Sequence, residues 1–151
     1  MAVDGAGQTL LHYACDYDSR SAVIPLLLAH PGIDVNANDI HGLTPFLRAC
    51  YGSASCVREM LRDSRVKVNE PDNDEWTPLY GAARWGHLDV IKCWIASGRE
   101  MDLAKPGVVI SEAIGAAKMN GKKEVASLLE RFKKDAAKTR SEVRKELGIN
   151  S

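Results

Sequence analysis

Four histidines, four cysteines and one acidic run are the residues of this 151-residue sequence that could ligate a metal, attack a carbonyl or move a proton. Catalysis would need some of them gathered in one pocket as a nucleophile with its base, or as an acid and base pair. His12, His30, His41 and His87 have no partner at metal-ligand spacing, and His30 and His41 fall in predicted loops. Cys15, Cys50, Cys56 and Cys93 form no C-x-x-C pair. A domain of this size needs no disulfide staples, so they read as free thiols in a reducing compartment. Cys15 and Cys50 each follow an alanine, Ala14 and Ala49, which points to close helix packing rather than reactivity. The run "EPDNDE" from Glu70 carries four carboxylates in six residues. It lacks the spacing and closing glutamate of a calcium loop and reads as a solvated turn tip, with a basic partner as the alternative. "NGKKEV" from Asn120 has a Gly-Lys pair without the earlier glycine or the strand of a phosphate loop. The expectation is no catalytic residue, no metal and no cofactor: not an enzyme.

The elements that would position any site follow from composition and repetition. Lys plus Arg and Asp plus Glu both total 20, so no net field draws nucleic acid or anionic lipid. The balance is uneven: residues 1–121 carry −4 and residues 122–151 carry +4, which suits a solvated terminal helix. The longest apolar run, Ala22 to Ala29, is far short of the roughly 20 residues of a membrane helix. No apolar stretch follows a basic start, as a signal peptide would require. The expectation is a soluble intracellular protein, cytoplasmic with the nucleus as alternative.

"DGAGQTLLHYAC" from Asp4, "DIHGLTPFLRAC" from Asp39 and "DNDEWTPLYGAA" from Asp72 share one pattern, and their threonines lie 35 and 33 residues apart. A weaker fourth copy sets Ser111 in the threonine position, 34 residues on. Thr44 and Thr77 are predicted N-caps with Pro45 and Pro78 at the first helical position, where a missing N–H costs nothing. Leu79, Ala82 and Ala83 then share a helical face, and Gly86 ends the helix. Val90, Ile91, Trp94 and Ile95 make the stripe of a second helix closed by Gly98. Helices so short cannot bury their faces alone, so the copies must stack into a solenoid.

These residues closely resemble the ankyrin repeat: the D-x-x-G-x-T turns at Asp4–Thr9 and Asp39–Thr44, the T-P-L start, "GHLDVI" from Gly86 and "DVN" from Asp34, over residues 4 to about 131. The resemblance implies an all-α solenoid of helix-turn-helix units joined by short β-hairpin turns. Repeats fall near 4–38, 39–71 and 72–104, with a degenerate cap at 105–134 inside a 1–134 domain, and residues 135–151 form a helical extension. In the slot of His12 a family histidine hydrogen-bonds the neighbouring turn, and His87 follows in the same spirit. Three departures stand out. Glu75 replaces the turn glycine and must accept a strained or left-handed backbone, or the turn must differ. Pro25 must kink the first copy's second helix or sit in its first turn. Asn120 takes the place of the glycine after the fourth copy's first helix. Thr139 or Ser141 is the expected cap of a last helix, with Val143 and Leu147 apolar and Gly148 closing it.

The resemblance also implies a non-enzymatic protein-interaction module, whose contact positions flank the turn's Asp and Gly and follow the paired small residues. They are Asp16 and Tyr17, with Gln8; Ile40, His41, Leu43 and Tyr51, with Asn38; Asn73, Asp74, Trp76, Arg84 and Trp85; and Met119, with Lys118. The set is rich in interface hot-spot types. With Leu79, Ala82 and Ala83 facing inward, Trp85 should point roughly 110° away and Arg84 further out, while Trp94 belongs to the core. A protein or peptide partner is expected, with neither nucleic acid nor membrane, and the chain should be a monomer. The alternative is a structural or regulatory segment of a larger repeat protein or assembly, stacking or self-associating through its bare first repeat.

Overall fold

The computed structural model describes residues 3–101 and 111–149; the loop expected beyond Met101 and the side chain of Ser111 lie outside the described residues. The helices are α1 (Leu10–Ala14), α2 (Ile24–Leu28), α3 (Pro45–Ala49), α4 (Ala54–Leu61), α5 (Pro78–Trp85), α6 (Leu88–Ser97), α7 (Ser111–Met119), α8 (Lys123–Lys134) and α9 (Ala136–Glu146). A 3₁₀ helix, Asp18–Val23, leads into α2. First helices pack on first helices and second helices on second: α1 on α3, α5 on α7, α2 on α4, α4 on α6. No strand forms among the described residues, and turns join the layers.

Threonine starts these helices as expected. The hydroxyls of Thr9, Thr44 and Thr77 accept from the backbone N–H of His12, Leu47 and Tyr80. Pro25 sits in the first turn of α2, where its missing N–H is harmless. Gly86 ends α5 in a left-handed cap: its N–H donates to the Ala83 carbonyl and the His87 N–H to that of Ala82, which satisfies two orphan carbonyls.

In the fourth copy the left-handed residue is Gly121, not Asn120. α7 runs one residue longer than α5, so the bend falls one place later, and the Asn120 amide folds back to the Ala116 carbonyl at 2.8 Å. The last helix also starts earlier than expected. Asp135 is its N-cap and accepts from Lys138 N–H, a short acidic side chain at the positive helix end. Thr139 is instead buried and donates to the Asp135 carbonyl. Val143 is buried, Leu147 is half-buried, and Gly148 closes the helix.

The core is continuous from Leu11 to Val143. Trp94 is fully buried, its ring edge-on to Phe46 of the preceding copy at 5.3 Å. Cys15, Cys50 and Cys56 are buried in the same interior. Burial pushes the thiols of Cys15 and Cys50 well above their usual range and that of Cys56 up to about 11, so they stay protonated and weakly nucleophilic at neutral pH.

Arginines fasten the second helices to one another. Arg65 donates to the Leu28 carbonyl at the end of α2 at 2.6 Å. Thirty-four residues later Arg99 donates to the carbonyls of Leu61, at the end of α4, and of Asp63 and Val66 in the loop beyond it. Arg140 and Arg144 of α9 take the carbonyls of Ile95 and Ala96 at the end of α6. At each helix end the carbonyls not taken by the local turn thus include one or two satisfied by a later segment. α9 lies on α6 and α8, on the second-helix side of the stack and not across the turn tips.

Candidate partner-binding surface

The turn tips repeat almost atom for atom. In each of the first three copies the aspartate carboxylate accepts from two backbone N–H groups: Asp4 from Ala6 and Gln8, Asp39 from His41 and Leu43, Asp72 from Asp74 and Trp76. The residue three beyond the aspartate is left-handed, as Gly7, Gly42 and Glu75. Glu75 thus accepts the αL backbone at φ 68°, held there by the Asp72 bonds around it. Glu75→Gly should raise stability by about 0.5–1 kcal/mol, because relief of left-handed strain of about 1–2 kcal/mol outweighs the added chain entropy. A urea titration measures it, and a lower midpoint would give the glutamate a stabilising contact of its own.

Adjacent tips join through single backbone bonds, Ile40 N–H to the Ala6 carbonyl and Asn73 N–H to the His41 carbonyl. His12 bridges in the same direction. Its Nδ1 lies 3.0 Å from the Thr9 N–H, which donates to it, and its Nε2 is 2.7 Å from the Leu43 carbonyl, so Nε2 carries the proton. His87 stands beside Gly52, and burial with the nearby Lys122 charge holds its imidazole below the usual range.

Two aromatic groups stand on this framework. The larger joins the second and third copies. Trp76 is half-buried and edge-on to Tyr80 at 5.3 Å. The Arg84 guanidinium lies 4.8 Å over Trp76 and 5.7 Å from the Trp85 ring. Trp85 is 55% exposed. Tyr51 closes the group from the second copy: a methyl at Gly81 would approach its ring to 2.9 Å, so the glycine makes room for it. Burial and the nearby carboxylates of Asp72 and Asp74 push the Tyr51 hydroxyl up to about 12. The smaller group is Tyr17 with Arg20 stacked 4.5 Å over its ring.

Several expected contact residues are placed otherwise than the spacing suggested. Arg84 is not turned further out than Trp85: it is half-buried, its Nε is buried without a hydrogen-bond partner, and among the described residues it makes no ion pair. The two ring faces draw the guanidinium inward. Asp16 is engaged within the chain, 2.6 Å from Arg48 Nε, and Arg48 also reaches Asp39 and the side-chain amide oxygen of Gln8. That network ties two carboxylates to one cation at the first junction. Leu43 is half-buried, Ile40, His41, Asn73 and Asp74 are exposed, and Met119 is 89% exposed. Asn73 is partly committed, since its amide donates to the Ile40 carbonyl. Tyr80 belongs to the aromatic group although the spacing did not mark it. It occupies the third position after the threonine, the slot filled by His12 and Leu47, and only its aromatic type beside Trp76 could have flagged it.

Among the described residues no three His, Cys, Asp or Glu side chains gather as a metal site, and no helix is long and apolar enough to cross a membrane. A family model of three ankyrin repeats matches residues 11–105. Over 93 residues, 61% of this chain, it is 39% identical to SMC5-SMC6 complex localization factor protein 1 of Bos taurus. Alpha-latrotoxin-Lhe1a of Latrodectus hesperus is 36% identical over 85 residues, 55% of the chain, and ankyrin repeat domain-containing protein 49 of Homo sapiens is 44% identical over 45 residues, 30% of the chain. The matches span 9%, 6% and 19% of those relatives' own lengths, so the likeness is to one segment of each. Capped helix pairs, three matching turns and the family model agree: this chain belongs to the ankyrin-repeat family, whose arrays serve in protein–protein interaction.

Proposed function

We propose that the face formed by the turn tips and first helices binds a protein or peptide partner without catalysis, centred on Tyr51, Trp76, Arg84 and Trp85. The observation that carries this is the Arg84 guanidinium, held against two indole rings with no carboxylate among the described residues paired to it. An arginine flattened on aromatics keeps its donors in a fixed fork, so binding orders little that is not already ordered. Tyr17, Ile40, His41, Leu43, Asn73, Asp74 and Met119 extend the surface, while Asp16 contributes through Arg48. The array spans residues 1–134, and the extension 135–151 locks the second helices. The name of the bovine relative, a localization factor, supports a recruiting role in which the array holds one protein so that another is placed.

Trp85→Ala should weaken capture of the principal partner from cell extract by about 30-fold, the effect of losing a hot spot of about 2 kcal/mol. The thermal midpoint should move by less than about 2 °C, because exposed sites contribute little to stability. Lys138→Ala, on exposed α9, should leave capture intact. Equal loss in both variants, or none in Trp85→Ala, would move the contact off this face.

A further inference from the structure

The edge of the stack before the first copy differs from every junction inside it. Val3, Leu10, Tyr13, Tyr17, Val23 and Leu26 are all exposed, six of the ten exposed large apolar residues among those described. Leu10 is 59% exposed and Leu26 is 73%. Leu10 directly follows the threonine cap, the position of Pro45 and Pro78, and both prolines are buried. The turn tells the same story. The residue after each turn aspartate gives its N–H to a carbonyl of the preceding tip, Asn73 to His41 and Ile40 to Ala6. The matching residue of the first copy is Gly5, which is exposed. The other end is unlike this one: α9 lies against α8, and Lys123, Glu124, Glu130, Arg131, Lys133 and Lys134 of α8 are exposed and charged.

We infer that this edge is a docking surface for one further helix-turn-helix layer of the same geometry, supplied by another stretch of polypeptide and continuing the existing junctions. Its occupant must offer an apolar helical face to Leu10, Tyr13, Val23 and Leu26, and a turn carbonyl to Gly5. A second copy of this chain fails on that chemistry. Paired two-fold, the two edges would set Gly5 N–H against Gly5 N–H at the tips, because the Ala6 carbonyl that the repeat pattern offers faces the second copy, where it accepts from Ile40. Stacked head to tail, a copy would offer its charged α8 surface. The inference concerns the edge before the first copy, which shares only Tyr17 with the proposed concave face, and does not rest on that face.

Residues 39–71 of this chain, whose downstream side already receives a layer, serve as the probe when spliced ahead of Asp4. The extended protein should unfold in one transition with a midpoint raised by about 5 °C or more. Leu10→Glu with Val23→Glu should erase that gain, yet shift the unextended chain by less than about 2 °C. An unchanged midpoint, a gain that survives both glutamates, or an added layer unprotected in amide hydrogen exchange would overturn the inference. So would a concentration-dependent dimer of the unextended chain in sedimentation that Leu10→Glu disperses, since the occupant would then be a second copy.

Discussion

Trp94→Ala should destabilise the protein by about 3–5 kcal/mol, the cost of truncating a fully buried large aromatic. Trp94 has no exposed surface, and its edge meets Phe46 across the junction between the second and third copies. Its indole N–H donates to the Glu100 carbonyl at 3.0 Å, so the same side chain fixes the chain's exit from α6. Alanine would leave a cavity between two layers and an unpaired carbonyl at its rim. In a chain of this length each kcal/mol moves the midpoint by about 2–4 °C, so a fall of about 10 °C is expected in thermal denaturation. Trp94→Phe, which keeps the edge contact and loses the hydrogen bond, should fall between. A loss below 1 kcal/mol for the alanine would mean that the two layers collapse freely onto each other.

Gly42→Ala should cost about 2–4 kcal/mol although it adds one methyl at a turn. Gly42 is left-handed at φ 79°, and a Cβ there would stand 2.7 Å from the Asn73 backbone nitrogen. That nitrogen is bonded to the His41 carbonyl, so the tips would have to part. Left-handed strain of about 1–2 kcal/mol adds to the lost tip bond and the shifted backbone. Gly115 supplies the contrast. It lies within α7 with nothing inside 4 Å of an added Cβ, so Gly115→Ala should stabilise by about 0.5–1 kcal/mol through helix propensity. Paired urea titrations read both, and a Gly42→Ala midpoint near wild type would remove the steric basis for the joined tips.

The parts of the molecule legible in sequence are those written locally. Thr44 and Thr77 before proline, Gly86 after a run of helix formers, and apolar residues three and four apart each specify a short segment by itself. Repetition then fixed the stacking, since such helices have nowhere else to bury their faces. Local rules misplaced Asn120 and the cap of α9, because several candidates stood within a few residues and tertiary contacts chose among them. Arg65, Arg99, Arg140 and Arg144 were illegible for another reason. A side chain that caps a carbonyl more than thirty residues away leaves no pattern in its own neighbourhood. The proposed surface was legible as positions and not as connections. Trp85 is open as its angle implied, but the inward turn of Arg84 and the pairing of Asp16 depend on neighbours that spacing cannot show.

The arginine fastenings also give the chain a direction in time. As the polypeptide emerges amino terminus first, α2 can form before Arg65 exists, and α4 before Arg99. Each second helix therefore waits with bare carbonyls until its successor is made. The last of the three to be served is α6, whose fasteners Arg140 and Arg144 sit in α9, more than forty residues downstream of the carbonyls they take. Fastening therefore runs backwards along a chain that is synthesised forwards, and the third layer stays provisional until α9 has been made.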